Sequence, residues 1–66
     1  MDVVINGERK HVTPGATLLE LLNELELDPR AVVVEHNRRI VRRPLLSNVT
    51  VSAGDEIEVV HFVGGG

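Results

Sequence analysis

The side chains able to carry acid–base, nucleophilic or metal chemistry are scattered along this chain, and their spacing composes no site. His11, His36 and His61 lie far apart, with neither H-x-x-E-H nor H-E-x-x-H spacing, so they read as surface residues at strand ends. Ser47 and Ser52 fall in turn-like segments and lack the strained elbow that exposes an activated serine. The ten carboxylates read as helix-surface and turn groups rather than as a catalytic pair. The absence of cysteine removes a thiol nucleophile, a disulfide, a thiolate metal site and persulfide chemistry on a side chain. The chain is therefore expected not to be an enzyme in its own right, and to bind no metal or cofactor itself.

The terminus is different. A strongly β-forming run, Ile57 to Val63, stops in Gly64, Gly65 and Gly66. Glycine loses more backbone freedom on ordering than any other residue, so folding does not favour such an ending. A frayed end or a cloning remnant is the plain alternative. The functional alternative gives each glycine a reason. A terminal carboxylate that must enter another protein's active site needs a stalk thin enough to thread a narrow channel. A carboxylate is a poor electrophile and must be activated, which ATP does by forming an acyl-adenylate. A sulfur or nitrogen nucleophile then attacks the C-terminal carbonyl. Gly66 would be the modified terminus and Gly64 and Gly65 its stalk, with all catalysis, ATP and Mg belonging to a partner enzyme.

The strand before the tail alternates. Glu56, Glu58, Val60 and Phe62 share one face, and Ile57, Val59, His61 and Val63 the other. Ile57 and Val59 fit a helix-covered core. Val60 and Phe62 then lie on an open face beside the tail, and with Glu58 they are the expected partner-binding residues. Arg38, Arg39, Arg42 and Arg43 cluster around a short strand; they read as a solvated edge that discourages strand-to-strand pairing, or as a docking patch for an acidic partner. A net charge of -3 and a single aromatic residue, Phe62, argue against nucleic acid. No apolar run reaches bilayer length and no signal-peptide order is present, so a cytoplasmic protein without a membrane partner, monomeric when alone, is expected.

The elements that must position the tail follow from local patterns. Val3-Val4-Ile5 runs into Asn6-Gly7, a strong type I′ hairpin signal, and Glu8 to Val12 reads as the return strand. Thr17 and Glu20 form a capping box, followed by a leucine stripe at 18, 21, 22 and 25, and Asp28-Pro29 is expected to end this helix. Ala31 to Glu35 reads as a strand, His36-Asn37 as a turn and Arg38 to Val41 as a short strand back. Pro44-Leu45-Leu46 reads as a turn placing two leucines in the core, Val49 to Val51 as a brief extended piece, and Glu56 to Val63 as the last strand. One helix on one face of a four- to five-stranded mixed sheet buries the leucines most simply, which is an α+β, ubiquitin-like β-grasp. The expected division is a β-grasp domain over 1–63 and a flexible glycine tail over 64–66. A chain of 66 residues buries only about 60% of its unfolded surface, so its stability is expected to be modest.

The opening V-V-I-N-G, the T-L-L-E-L-L helix, the N-R-R-I-V-R-R segment and the final G-D-E-I-E-V-V-H-F-V-G-G-G together resemble the ThiS family, the bacterial sulfur carriers of thiamine biosynthesis. The resemblance covers nearly the whole chain and departs from the family pattern at Arg43-Pro44. It implies that Gly66 is adenylated by an ATP-dependent activating enzyme (ThiF-like) and converted to a thiocarboxylate. The sulfur would come from a donor such as a cysteine desulfurase and pass to thiazole synthase (ThiG-like). A sulfur carrier for molybdopterin, a ubiquitin-like protein modifier and a plain interaction domain are the other readings.

Overall fold

The β-branched opening run forms strand β1 (Asp2–Ile5), which Asn6 and Gly7 reverse into β2 (Glu8–His11). Their φ angles of 51° and 82° are those a type I′ turn requires. In this computed structural model, which describes residues 1–62, there follow a helix α1 (Leu18–Glu24) and strands β3 (Val32–His36), β4 (Arg39–Val41) and β5 (Glu56–His61). A single 3-10 turn spans Pro29–Ala31, and a longer 3-10 segment spans Arg43–Asn48. The five strands form one sheet in the order β2-β1-β5-β3-β4, with β1 and β5 parallel and the other pairs antiparallel. This is the expected β-grasp. The last strand lies at the centre of the sheet, and the glycines of the tail lie outside the described residues.

The capping box is present: the Glu20 amide donates to Thr17 Oγ1 at 3.1 Å, and the Thr17 amide donates to Glu20 Oε1 at 2.9 Å. The Leu18 amide, another free donor of the first turn, reaches the Val49 carbonyl at 2.9 Å. The extended piece around Val49 to Val51 thus serves the helix start; it touches Thr17 through an isolated Thr17–Thr50 bridge and joins no sheet.

The helix stops at Glu24, short of the proline expected to end it. Glu26 takes the left-handed conformation at φ 60°, its amide donates to the Asn23 carbonyl, and the Leu27 amide donates to the Leu22 carbonyl. These two bonds are the Schellman closure, sealed by Leu22 and Leu27 meeting in the core. A non-glycine residue there is strained, and its negative charge opposes the helix dipole. Glu26→Gly is therefore expected to stabilise the fold by about 1 kcal/mol, raising Tm by roughly 4–8 °C. A thermal melt showing no rise would contradict this account of the helix end.

Other boundaries move by a residue or two. The 3-10 turn at Pro29 delays β3 until Val32, and the β3–β4 turn is Asn37-Arg38, both with positive φ, rather than His36-Asn37. Ladder pairing of β5 ends at His61. Only Leu46 of the leucine pair enters the core, whereas Leu45 is exposed, because a 3-10 turn points neighbouring residues in different directions.

The core lies between α1 and one face of the sheet. Leu18, Leu21 and Leu22 pack on Val3, Ile5, Val32, Val34, Ile57 and Val59, with Val12, Leu46 and Val51 closing the sides. Leu25, at the helix C-cap, is only partly buried against it. Among the described residues no helix is long and apolar enough to cross a membrane.

Candidate functional site

The alternation expected for the last strand is present. Ile57 and Val59 are buried under the helix, while Val60 and Phe62 are 57% and 53% exposed on the uncovered face. Register supplies their neighbours: Val60 stands opposite Val33, Glu58 opposite Glu35, and Ile40 opposite Glu35 from the far side. Val4 stands opposite Glu56 across the parallel pair. The open face is therefore divided. Toward the exit of β5 it is apolar, with Val33, Val60 and Phe62, and Ile40, 68% exposed and level with Glu35, extends the apolar area onto β4. Toward the other end it is acidic, with Glu35, Glu56 and Glu58. Like charges directly opposite one another weaken a strand pair. Monomer stability does not account for the Glu35–Glu58 pair, nor for Ile40, Val60 and Phe62 left in water.

Two contacts fix the strand that delivers the tail. Asn6 Nδ2 donates to the Val59 carbonyl at 3.2 Å, and the Val59 amide donates to Asn6 Oδ1 at 2.8 Å. The asparagine amide thereby continues the β1–β5 ladder where the β1 backbone turns away. The Phe62 amide donates to the Ala31 carbonyl at 2.9 Å, holding the chain to β3 one residue beyond the ladder. Gly64, Gly65 and Gly66, the expected stalk and reactive terminus, lie outside the described residues.

The histidines converge on nothing. His11 is exposed and bonds to Asp2 at 2.9 Å, and His61 is exposed beside Val32. His36 departs from the expected surface placement. Its side chain is 19% exposed and its Nε2 lies 2.7 Å from Asp55 Oδ2. The same carboxylate accepts from the Ser52 amide at 2.8 Å and from Asn37 Nδ2 at 3.2 Å, while Asn37 Oδ1 accepts from the Glu56 amide at 2.9 Å. Burial pushes the Asp55 carboxyl up, but the hydrogen bonds from Ser52, His36 and Asn37 outweigh it, leaving the group below the ordinary carboxylate value. The cluster closes the turn before β5 onto the β3–β4 turn. It sits at the end of β5 away from the tail, and its groups are occupied with one another. Among the described residues no group of three His, Cys, Asp or Glu side chains is placed to hold a metal ion.

Sequence patterns gave Val60, Phe62 and Glu58 their face but missed Ile40, Val33 and Glu35, which join it only through strand register. The alternation within Arg39–Val41 was the one local sign, since Ile40 points opposite to Val41.

Residues 3–66 match the sequence profile of the ThiS family. The sulfur carrier protein ThiS of Bacillus subtilis (strain 168) is 40% identical over 50 residues, which is 76% of each chain. The crystal structure of the thiamine biosynthesis protein ThiS from Geobacter metallireducens has a TM-score of 0.87 and 32% identity, covering the whole of both chains. The thiazole synthase of Paramagnetospirillum magneticum is 44% identical over 66 residues. This chain spans only 20% of that relative's length. A profile over nearly the whole chain, a sequence relative and a matching fold agree: the chain belongs to the ThiS family.

Proposed function

We propose that this chain is a sulfur carrier, holding its sulfur at the carboxylate of Gly66 and delivering it to a thiazole synthase. The observation that carries the proposal is the exposed apolar face on β5, the strand that runs into a glycine terminus in a chain without cysteine. The Gly66 carboxylate attacks the α-phosphorus of ATP in a ThiF-like activating enzyme, with Mg there, and pyrophosphate leaves. A persulfide furnished by a donor such as a cysteine desulfurase then displaces AMP to give an acyl disulfide. An external thiol cleaves its S–S bond, forming a disulfide with the donor sulfur and leaving the thiocarboxylate. Gly64 and Gly65 pass through the partner's channel, while Val60, Phe62 and Glu58 dock the domain. A ThiG-like thiazole synthase is supported as acceptor by thiazole synthases of two organisms, each of which contains a stretch matching this whole chain.

The test is the intact mass of the protein purified from cells starved of thiamine. A fraction with one oxygen of Gly66 replaced by sulfur is expected. Free carboxylate alone, even with activating enzyme and ATP supplied, would leave the terminus as a modifier's attachment point or an inert end. For the docking face, Val60→Asp is expected to raise the KM for the carrier in adenylation about thirtyfold, the loss of one interface anchor worth about 2 kcal/mol. Its Tm should stay within a few degrees of the parent because Val60 is more than half exposed. An unchanged KM would remove Val60 from the interface.

A further inference from the structure

Beside the exit of β5 the open face deepens into a cleft of about 520 Å³ between that strand and the end of β4. Val33 and Val41 line it, Ile40 and Phe62 stand at its sides, and Arg42, Arg43 and Pro44 form its rim. The rim carries charge of one sign. Among the described residues none of Arg38, Arg39, Arg42 and Arg43 forms an ion pair; Arg43 only donates to the Arg30 carbonyl, at 3.5 Å. Arg30 itself is paired with Asp28 at 3.2 Å. The carboxylates of the same face, Glu35, Glu56 and Glu58, line a separate hollow with Val4 and Val60, where Arg38 offsets part of their charge while Arg42 and Arg43 stay at the cleft. A face so divided discriminates by charge as well as by shape, because a partner with the wrong polarity brings like charges together.

We propose that this cleft is a second contact point, taking an apolar side chain flanked by Asp or Glu on the docking surface of the activating enzyme. The inference rests on the carrier function proposed above and adds the chemistry of the partner. Val33, Ile40 and Phe62 offer an apolar seat that an aliphatic or aromatic anchor would desolvate on binding. Arg42 and Arg43 present forked donors suited to carboxylates at its flanks. A small free anion would meet the two guanidiniums but leave the apolar walls wet. The position matters because the cleft adjoins Phe62, the last described residue before the tail. A partner seated there grips the base of the tail and fixes the direction in which Gly66 is presented.

The test is the steady-state adenylation of the full chain by the activating enzyme of the same source, comparing Arg42→Glu/Arg43→Glu with the parent. Charge reversal at two rim positions is expected to raise the KM for the carrier at least tenfold with kcat within about twofold. The parent's KM should rise with ionic strength and the double variant's should not. Arg42→Gln/Arg43→Gln gives a milder version should the reversal disturb the fold, and Arg9→Glu, on the opposite sheet edge, controls for net charge. An unchanged KM in a parent that is adenylated would overturn the cleft proposal alone. An equal rise with Arg9→Glu, or an effect confined to the thiazole synthase step, would overturn it too. A parent that is never adenylated would overturn the carrier reading and the cleft with it.

Discussion

A chain lacking Gly65 and Gly66 is expected to melt at the temperature of the full chain and to form no adenylate or thiocarboxylate. The fold is closed before the tail. Among the described residues the core cluster draws on positions between Val3 and Val59, and the last backbone bond to the β3 side is made by Phe62. Removing two residues beyond that point leaves these described contacts in place, and shortening a terminal segment typically changes stability by a few tenths of a kcal/mol. The chemistry, by contrast, depends on reach. Two residues at about 3.3–3.6 Å each withdraw the carboxylate by about 7 Å, far outside the distances over which reacting atoms must meet. The loss should therefore be complete rather than graded, and high carrier concentration should not restore it. Calorimetry and an AMP-transfer assay on the same preparation separate the two outcomes. A shortened chain that still accepted AMP would identify the terminus as inert.

Asp55→Ala is expected to lower stability by about 3 kcal/mol at neutral pH, the largest effect of any single polar substitution in the fold. The variant strands the Ser52 amide, His36 and Asn37 at once, and hydrogen bonds to a charged acceptor each contribute about 1.5–3 kcal/mol with imperfect additivity. A domain of this length has roughly 3–10 kcal/mol in total, so part of the population should unfold at room temperature. The effect depends on pH in one direction. The folded protein holds the Asp55 carboxyl below its ordinary value of 3.8, so the carboxylate's contribution is full at neutral pH. It begins to fall once the unfolded chain takes up a proton near that value and is gone when the folded group is itself protonated. The gap between parent and variant in urea titrations should hold steady from neutral to mildly acidic pH and then close. A gap independent of pH down to full acid unfolding would assign the effect to packing instead.

Asp55 also marks where sequence reasoning ended. The helix start was legible because Thr17 and Glu20 complete one another within four residues. The first hairpin was legible because Asn6-Gly7 announces its turn. The helix end was not, since Glu26 adopts a conformation its side chain disfavours and only the closure by Leu22 and Leu27 compels it. The second hairpin was displaced by one residue for a related reason: Arg38 occupies the position where glycine would have signalled the turn. His36 looked like a surface residue because its partner lies nineteen residues away across a turn. At the site, strict alternation along β5 placed Val60 and Phe62 correctly. The partition of the face into apolar, acidic and basic regions depends on Glu35, Ile40 and Arg42. These come from strands whose register no local pattern encodes.

The parallel pairing of β1 with β5 has a mechanical consequence. Traction on the tail pulls β5 along its own axis, while β1 at the other end of the chain resists in the opposite sense. The bonds joining them, from the Val4 amide to Asp55, from the Asn6 amide to Ile57 and through the Asn6 side chain to Val59, are then strained together rather than one after another. The antiparallel neighbour β3 adds a second set along the other edge of β5. The fold thus resists a pull on its last strand without unzipping, which suits the proposed handling of the chain by its end. Stretching the chain between its first strand and its last should require a sharply higher rupture force than peeling open the β1–β2 hairpin.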